Sequence, residues 1–117
     1  MATLLRWSVS GVTDSELVRR CRDGDREAFN ALIAKYQNRV YALCCHFAGD
    51  FAAAQDLTQE TFVRVYLDLH GLREVGKFPA WLGKVTTRVC HRAMRRHARH
   101  SHEDIGGLAE AELADDA

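Results

Sequence analysis

The feature that most constrains the fold is a long amphipathic segment between Asp25 and Gly49. Asp25 is a favoured N-cap residue and Gly49 a favoured helix terminator. The apolar residues between them recur at the spacing of one helix face and are Phe29, Leu32, Ile33, Tyr36, Val40, Leu43 and Phe47. The segment therefore predicts one long helix whose apolar face other elements must cover.

Two further helices are predicted next to this segment. Thr13 and Glu16 have the spacing of a capping box, which predicts a first short helix running to about Arg22. Asp50 can cap a third helix that ends at Gly71. The residues of this third helix that we expect to face inward are Leu57, Phe62, Val65, Tyr66 and Leu69.

A fourth helix is predicted after a loop at residues 72–77. Pro79 suits the first turn of that helix. Its expected buried stripe comprises Trp81, Leu82, Val85, Val89 and Met94. With a single proline and no alternating strand pattern in the chain, the sequence predicts an all-α fold, a compact bundle of about four helices.

The charge is distributed unevenly although the formal net charge is zero. Residues 1–100 hold all 16 Lys and Arg and 10 of the acids, whereas residues 101–117 hold six acids and no Lys or Arg. The tail acids are Glu103, Asp104, Glu110, Glu112, Asp115 and Asp116. We therefore predict a flexible leader (1–12), a basic helical domain (13–100) and a flexible acidic linker or tail (101–117).

The compartment and the redox state can also be predicted. No apolar run approaches the ~20 residues that a membrane span needs, and the N-terminus lacks the pattern of a secretion signal. The cysteines are Cys21, Cys44, Cys45 and Cys90, and their spacing suits neither a disulfide framework nor a zinc knuckle. Reduced cysteines in a cytoplasmic protein are the expected state.

A run of arginines in the fourth predicted helix is the strongest functional signal. Its members, here called the cationic stripe, share one helix face and are Arg88, Arg92, Arg95, Arg96 and Arg99. No acid occurs between Lys84 and His100. Because solvated helix faces usually mix both signs, we prefer a surface that binds a polyanion such as nucleic acid, and expect it to lie opposite the apolar stripe. A plain solvated face is the alternative.

Two smaller groups of residues stand near this helix. Asp56, Gln59 and Glu60 share one face of the third helix and could receive arginines from a partner, or could be ordinary surface residues. The aromatic residues Phe78 and Trp81 flank the basic loop before the fourth helix. Aromatic rings beside cations can stack on unpaired bases, a role open to Phe78, whereas Trp81 on the apolar stripe is expected in the core.

Histidines and cysteines give weaker signals. His97, His100 and His102 cluster near the end of the fourth helix, but without the paired spacing of a zinc site. A thiol or metal sensor built on Cys90 and His91 stays an alternative. No nucleophile and base pattern and no phosphate loop occur, so we predict no enzyme activity, no cofactor and no metal.

Several motifs together resemble region 2 of bacterial sigma factors, in particular the extracytoplasmic-function (ECF) group. They are GDREAF (24–29), QDLTQETFVRVYLDL (55–69) and FPAWLGKV (78–85), followed by the arginines. The resemblance spans about residues 14 to 100. It implies a sigma region 2-like bundle that binds the β′ subunit of core RNA polymerase and the non-template strand of the promoter −10 element.

The resemblance also assigns roles to individual residues. Polymerase binding would fall to Asp56, Gln59 and Glu60, which would dock on the β′ clamp helices. Binding of melted promoter DNA would fall to Arg73, Lys77, Phe78, Lys84, Arg88, Arg92, Arg95 and Arg96. An anti-sigma factor is a further expected partner, and docking of such an acidic protein without sequence-specific DNA reading is the alternative function.

The chain departs from the family pattern at two places. Arg88 stands where such proteins often carry asparagine, which leaves the captured base open. The domain that reads the −35 element is absent from the sequence, and the acidic tail corresponds to the linker that would lead to it. That tail could instead fold back and screen the cationic stripe.

Overall fold

The architecture is all-helical over the part of the chain that the structure describes. The computed structural model describes residues 12–105, with side chains described as far as Arg99. Within that range the elements are α1 (Asp14–Arg22), α2 (Arg26–Ala48), α3 (Phe51–Asp68), two 3-10 turns (Leu69–Gly71 and Val75–Lys77) and α4 (Phe78–Ile105). The prediction of about four helices is confirmed.

Local capping explains where the helices begin and end. Thr13, Asp25 and Asp50 each accept a hydrogen bond from a backbone N–H in the first turn of the helix that follows. Gly49 ends α2 in the left-handed conformation, with φ of 70°, which a residue without a side chain adopts at little cost. These four predicted boundaries are confirmed.

The core forms around α2, which packs against α1, α3 and α4. Its largest fully buried side chains include Leu17 and Val18 of α1, Leu32 of α2, Val65 of α3 and Phe78 of α4. Three buried threonines, Thr58, Thr61 and Thr86, donate hydrogen bonds to backbone carbonyls one turn earlier in their own helices. Their hydroxyls therefore enter the interior without an unsatisfied polar group.

Two side chains predicted to face inward are exposed instead. Tyr66 of α3 has 64% of its surface exposed and Met94 of α4 has 45%. Both lie at the edge of the apolar face of their helix. The helical spacing places them near that face but does not say whether an edge residue is covered. Leu57, Phe62, Val65 and Leu69 are buried as predicted.

The predicted domain boundaries differ from the observed elements at three points. Val12, assigned to the leader, packs against the core. The α-helical part of α3 ends at Asp68, and a 3-10 turn carries the chain to Gly71. α4 continues to Ile105, five residues past the predicted start of the tail at 101. The rest of the leader and residues 106–117 lie outside the described residues.

Candidate nucleic-acid and protein interfaces

The connection between α3 and α4, residues 72–77, is here called the recognition loop. Leu72 at its start and Phe78 just after it are buried, and Val75 between them packs against the core. The backbone N–H of Lys77 donates to the Glu74 carbonyl at 2.9 Å. The exposed residues of the loop are Arg73, Glu74, Gly76 and Lys77. Leu72, Val75 and Phe78, spaced three residues apart, thus pack this short segment against the core. The polar residues between them point to solvent.

Phe78 does not offer the aromatic face that the sequence suggested. Its side chain is fully buried, and its ring meets the Tyr36 ring edge-on with the centroids 5.5 Å apart. A ring enclosed in this way cannot stack on a base, so the predicted DNA contact of Phe78 is corrected to a core role. Trp81, predicted in the core, packs against it but remains half-buried, with its ring 6.0 Å from that of Phe78.

The cationic stripe lies along the edge of α4 that faces α3. Four of its five arginines are exposed and Arg95 is half-buried. Arg88 and Arg92 line a shallow pocket together with Val85 and Val89 of the same helix. The stripe therefore borders the apolar stripe rather than lying opposite it, which corrects the predicted arrangement. Arg64 and Asp68 of α3 form the other wall of that pocket.

Lys84 extends this cationic surface toward the recognition loop. It is exposed and precedes Arg88 by four residues, so the two side chains project from the same side of α4. The exposed cations therefore follow α4 from its first turns to Arg99. Such a row can contact successive phosphates of one strand.

Asp56, Gln59 and Glu60 are all exposed on the outer side of α3, as their spacing predicts. Val63 and Leu67 continue that side one and two turns later, and each has 58% of its surface exposed. We call these five residues together with Tyr66 the docking surface. Exposed apolar side chains beside carboxylates are typical of protein interfaces rather than of a helix turned only toward water.

A groove between α2 and α3 adjoins the docking surface. It encloses about 510 Å³ and is lined by Phe29, Ile33, Gln37, Thr58, Gln59, Phe62, Val63 and Tyr66. Phe29 and Tyr66 form its aromatic corner, with their rings edge-to-face at 5.3 Å. Sequence reasoning missed the groove because it assigned Tyr66 to the core. The four-residue spacing of Gln59, Val63 and Leu67 could have revealed the apolar part of the surface.

One ion pair joins the two surfaces. The Arg96 guanidinium of the cationic stripe lies 3.7 Å from the Glu60 carboxylate of the docking surface. Both side chains are about half exposed, so water screens their attraction. The two predicted sites therefore meet at the boundary between α3 and α4, a proximity that neither motif predicts by itself.

The thiols are arranged as core residues. Cys44 and Cys90 are fully buried, and their sulfur atoms lie 3.8 Å apart between α2 and α4. Burial, reinforced by the neighbouring Cys44 sulfur, raises the pKa of Cys90 to about 12. A thiol that stays protonated is a poor nucleophile, which argues against the sensor alternative.

The described residues contain no cluster of three or more histidines, cysteines or carboxylates that could hold a metal ion. His91 stacks edge-on against Phe47, with 5.2 Å between the ring centroids, and so has a packing partner. The side chains of His100 and His102 lie outside the described residues. Over the same part of the chain, no helix has both the length and the apolar character that crossing a membrane requires.

Comparison with known proteins decides the family. The family model for Sigma-70 region 2 matches residues 32–100, which include α3, the recognition loop and the cationic stripe. The chain belongs to the sigma-70 region 2 family. Sigma factors are not enzymes, and the prediction that the chain has no catalytic activity is confirmed by this membership.

Several sigma factors resemble this region 2 chain in sequence. The RNA polymerase sigma-H factor of Pseudomonas aeruginosa is 38% identical over 72 residues, which are 62% of this chain and 37% of that protein. The ECF sigma-E factor of Haemophilus influenzae is 31% identical over 107 residues, 91% of this chain and 52% of the relative. The chain thus spans about half or less of the length of these relatives.

A solved structure resembles the fold. It is the NMR structure of an engineered region 2 of sigmaE in complex with GTAAAA, with a TM-score of 0.68 and 30% sequence identity. The similarity covers 77% of this chain and 94% of that one. The predicted resemblance to region 2 of ECF sigma factors is therefore confirmed in both sequence and fold.

Proposed function

We propose that this region 2 domain acts in transcription initiation by binding core RNA polymerase and the promoter −10 element as a single strand. The observation that carries the proposal is the structural similarity to an engineered sigmaE region 2 solved with GTAAAA. The exposed cations that follow α4 away from the recognition loop add independent support. A factor with this role works in the cytoplasm, where the polymerase and the chromosome are.

The docking surface is the proposed contact for polymerase. Asp56, Gln59 and Glu60 would receive basic groups of the β′ clamp helices, since carboxylates form strong charge-assisted hydrogen bonds with arginine. Val63, Tyr66 and Leu67 would supply the apolar part of the same interface. An interface with an apolar centre and charged margins is the usual composition for a specific protein complex.

DNA binding is assigned to the recognition loop and the cationic side of α4. Arg73 and Lys77 would hold the backbone of an unstacked base, and Lys84, Arg88 and Arg92 would follow the phosphates away from it. Arg95 and Arg96 continue this path. Because the Phe78 ring is buried, the loop itself rather than that ring would enclose the base. An arginine at position 88 can donate two hydrogen bonds to a guanine edge, which would alter base preference relative to asparagine.

An anti-sigma factor is the second proposed partner, favoured by one observation. Val63, Tyr66 and Leu67 expose three large apolar side chains on one helix. An inhibitor that covered this surface would compete with polymerase for the same residues. Inhibition would then be relieved whenever the inhibitor was removed, without any change in the domain itself.

The direct test compares two binding reactions of one variant. Asp56→Ala is expected to weaken association with core polymerase at least tenfold, because it leaves a buried basic partner unpaired. The affinity for a single strand containing GTAAAA should stay at the wild-type value, measured by fluorescence anisotropy against a scrambled strand. Equal binding of the two strands by the wild-type chain would contradict the −10 assignment. Unchanged polymerase affinity in the variant would contradict the docking assignment.

A further inference from the structure

Arg22, the last residue of α1, makes the side-chain hydrogen bonds that join the most distant positions in the described part of the chain. One of its terminal guanidinium nitrogens donates to the Leu69 carbonyl at 3.3 Å and also to the Leu72 carbonyl. These acceptors are 47 and 50 residues away in the sequence. The guanidinium therefore ties α1 to the connection between α3 and α4.

The two carbonyls that accept hydrogen bonds from Arg22 mark the entrance to the recognition loop. Leu69 begins the 3-10 turn that follows α3, and the Leu72 N–H closes that turn by donating to the Leu69 carbonyl at 3.1 Å. A carbonyl oxygen can accept two hydrogen bonds, so the Leu69 carbonyl accepts from both the Leu72 N–H and the Arg22 guanidinium. Arg22 supplies donors at this point and so fixes the direction in which the chain leaves α3.

α1 also supports the middle of the recognition loop. The 3-10 turn Val75–Lys77 packs against α1. A methyl group placed on Gly76 would stand 3.8 Å from Ser15 Oγ, so the turn lies close on the surface of α1. With Phe78 buried at the far end, the loop is held at its entrance, its middle and its exit.

The Arg22 side chain is partly buried where it reaches the two carbonyls. Its Nε atom is buried and has no hydrogen-bond partner in the described part of the chain. Both contacts to the carbonyls are therefore made by a single terminal nitrogen of the planar guanidinium, while Nε–H has no acceptor among the described residues. A lysine could keep the charge and bring one donating nitrogen to the two carbonyls, but its flexible chain would fix that nitrogen less firmly than the planar guanidinium does.

We infer that Arg22 is a positioning residue for base recognition, which holds the recognition loop in the conformation that receives an unstacked base. The inference rests on the proposed reading of −10 DNA by that loop. Arg22 touches no DNA in this account. Its contribution is to limit the conformations of Arg73 to Lys77 before DNA arrives, so that the loop loses less conformational entropy when the correct base binds.

The test measures selectivity rather than affinity alone. The full chain and its Arg22→Gln and Arg22→Lys variants are titrated with a single strand containing GTAAAA and with its scrambled counterpart at one salt concentration. Arg26→Gln is the matched control, because Arg26 is exposed at the start of α2 and its loss removes the same charge. Core polymerase affinity and circular dichroism are recorded for every variant.

Arg22→Gln is expected to lower the ratio of the affinity for the GTAAAA strand to that for the scrambled strand about tenfold. A loss of this size is what a mismatch at one base of a recognition site typically causes. Arg22→Lys should lie between wild type and Arg22→Gln, while Arg26→Gln keeps the wild-type ratio. Polymerase affinity should be unchanged in all three, since the docking surface does not contact Arg22. A general loss of structure would instead lower both activities.

The outcomes separate this inference from the proposed function. Wild-type selectivity in a folded Arg22→Gln variant overturns the role of Arg22 and leaves the −10 proposal intact. Absence of selectivity in the wild-type chain overturns the −10 proposal itself. If Arg22→Gln does not fold, Arg22→Lys decides by the same ratio, and a wild-type value there overturns the inference.

Discussion

The docking surface on α3 and the cationic stripe on α4 are neighbours of different composition, and we propose a different kind of partner for each. The docking surface combines Asp56 and Glu60 with exposed apolar side chains and borders a groove of about 510 Å³. The stripe carries only cations along a comparable length of helix. Apolar burial gives affinity that salt barely affects, whereas phosphate contacts release counterions and are strongly salt-sensitive. The two compositions therefore predict different salt responses for the two proposed contacts.

The two surfaces are nevertheless joined by the Glu60–Arg96 ion pair. In the free domain the Glu60 carboxylate lies 3.7 Å from a guanidinium assigned to DNA. A basic partner that took Glu60 would release Arg96 for phosphate. Polymerase binding would then strengthen DNA binding by the small amount that one exposed ion pair contributes.

The largest expected difference between the surfaces is their response to salt. If the five arginines of the stripe contact phosphates, affinity for single-stranded DNA should fall roughly 100-fold between 50 and 200 mM salt, from a slope of about −0.7 per contact. Polymerase association should change far less over the same range. Anisotropy titrations with DNA and with core polymerase measure both. If the affinities for DNA and for polymerase fell equally with salt, the proposed difference between the two surfaces would be contradicted.

The apolar part of the docking surface gives the next largest effect. Tyr66→Ala is expected to weaken polymerase binding roughly 30-fold, because exposed aromatic anchors are typical interface hot spots. Phe51→Ala is the matched control: Phe51 is also an exposed aromatic residue of α3, with 77% of its surface exposed, and does not line the groove. Equal losses in the two variants would show that the groove has no special role.

The ion pair between the surfaces predicts a smaller effect, and here the substitution should raise an affinity instead of lowering it. Glu60→Gln should raise affinity for single-stranded DNA by up to about fivefold, since an exposed ion pair is worth ~0.2–1 kcal/mol. The same change should weaken polymerase binding. Glu27→Gln removes an exposed carboxylate from α2 and should leave both affinities unchanged. Weaker DNA binding by Glu60→Gln would contradict the coupling.

The smallest effect concerns the thiols, which belong to neither surface. Cys90 should react with N-ethylmaleimide much more slowly than the half-buried Cys45, because it is fully buried and its pKa is raised to about 12. Mass spectrometry of partly labelled, folded protein at pH 8 measures the order of reaction. Rapid labelling of Cys90, accompanied by loss of DNA binding, would revive the thiol-sensor alternative.

The parts of the fold that are local in the sequence could be predicted. The N-cap side chains of Thr13, Asp25 and Asp50 bond to backbone N–H groups no more than three residues away. The local sequence is therefore sufficient to predict these helix starts. The spacing of the arginines likewise defines a shared face of α4. The exact margin of a buried face depends on the neighbouring helix, which is why Tyr66 was assigned to the wrong side.

The parts that depend on distant residues could not be predicted. Phe78 follows a basic loop, which suggests exposure, but the Tyr36 ring from α2 encloses it. In the sequence, Arg22 is an ordinary basic residue at a helix end. Only the folded structure brings the Leu69 and Leu72 carbonyls next to its guanidinium. The pairing of Glu60 with Arg96 requires α3 and α4 to lie side by side, a relation that neither helix encodes alone.

The separation of the two surfaces is tested most directly by mapping where DNA binds. An isotope-labelled sample of the full chain is titrated with a single strand containing GTAAAA, and amide and arginine side-chain shifts are followed by NMR. The expected result is that changes concentrate in residues 72–77 and at Arg88 and Arg92, while Val63 and Tyr66 stay unmoved. Changes centred on Val63 and Tyr66, or spread evenly over the domain, would contradict the account.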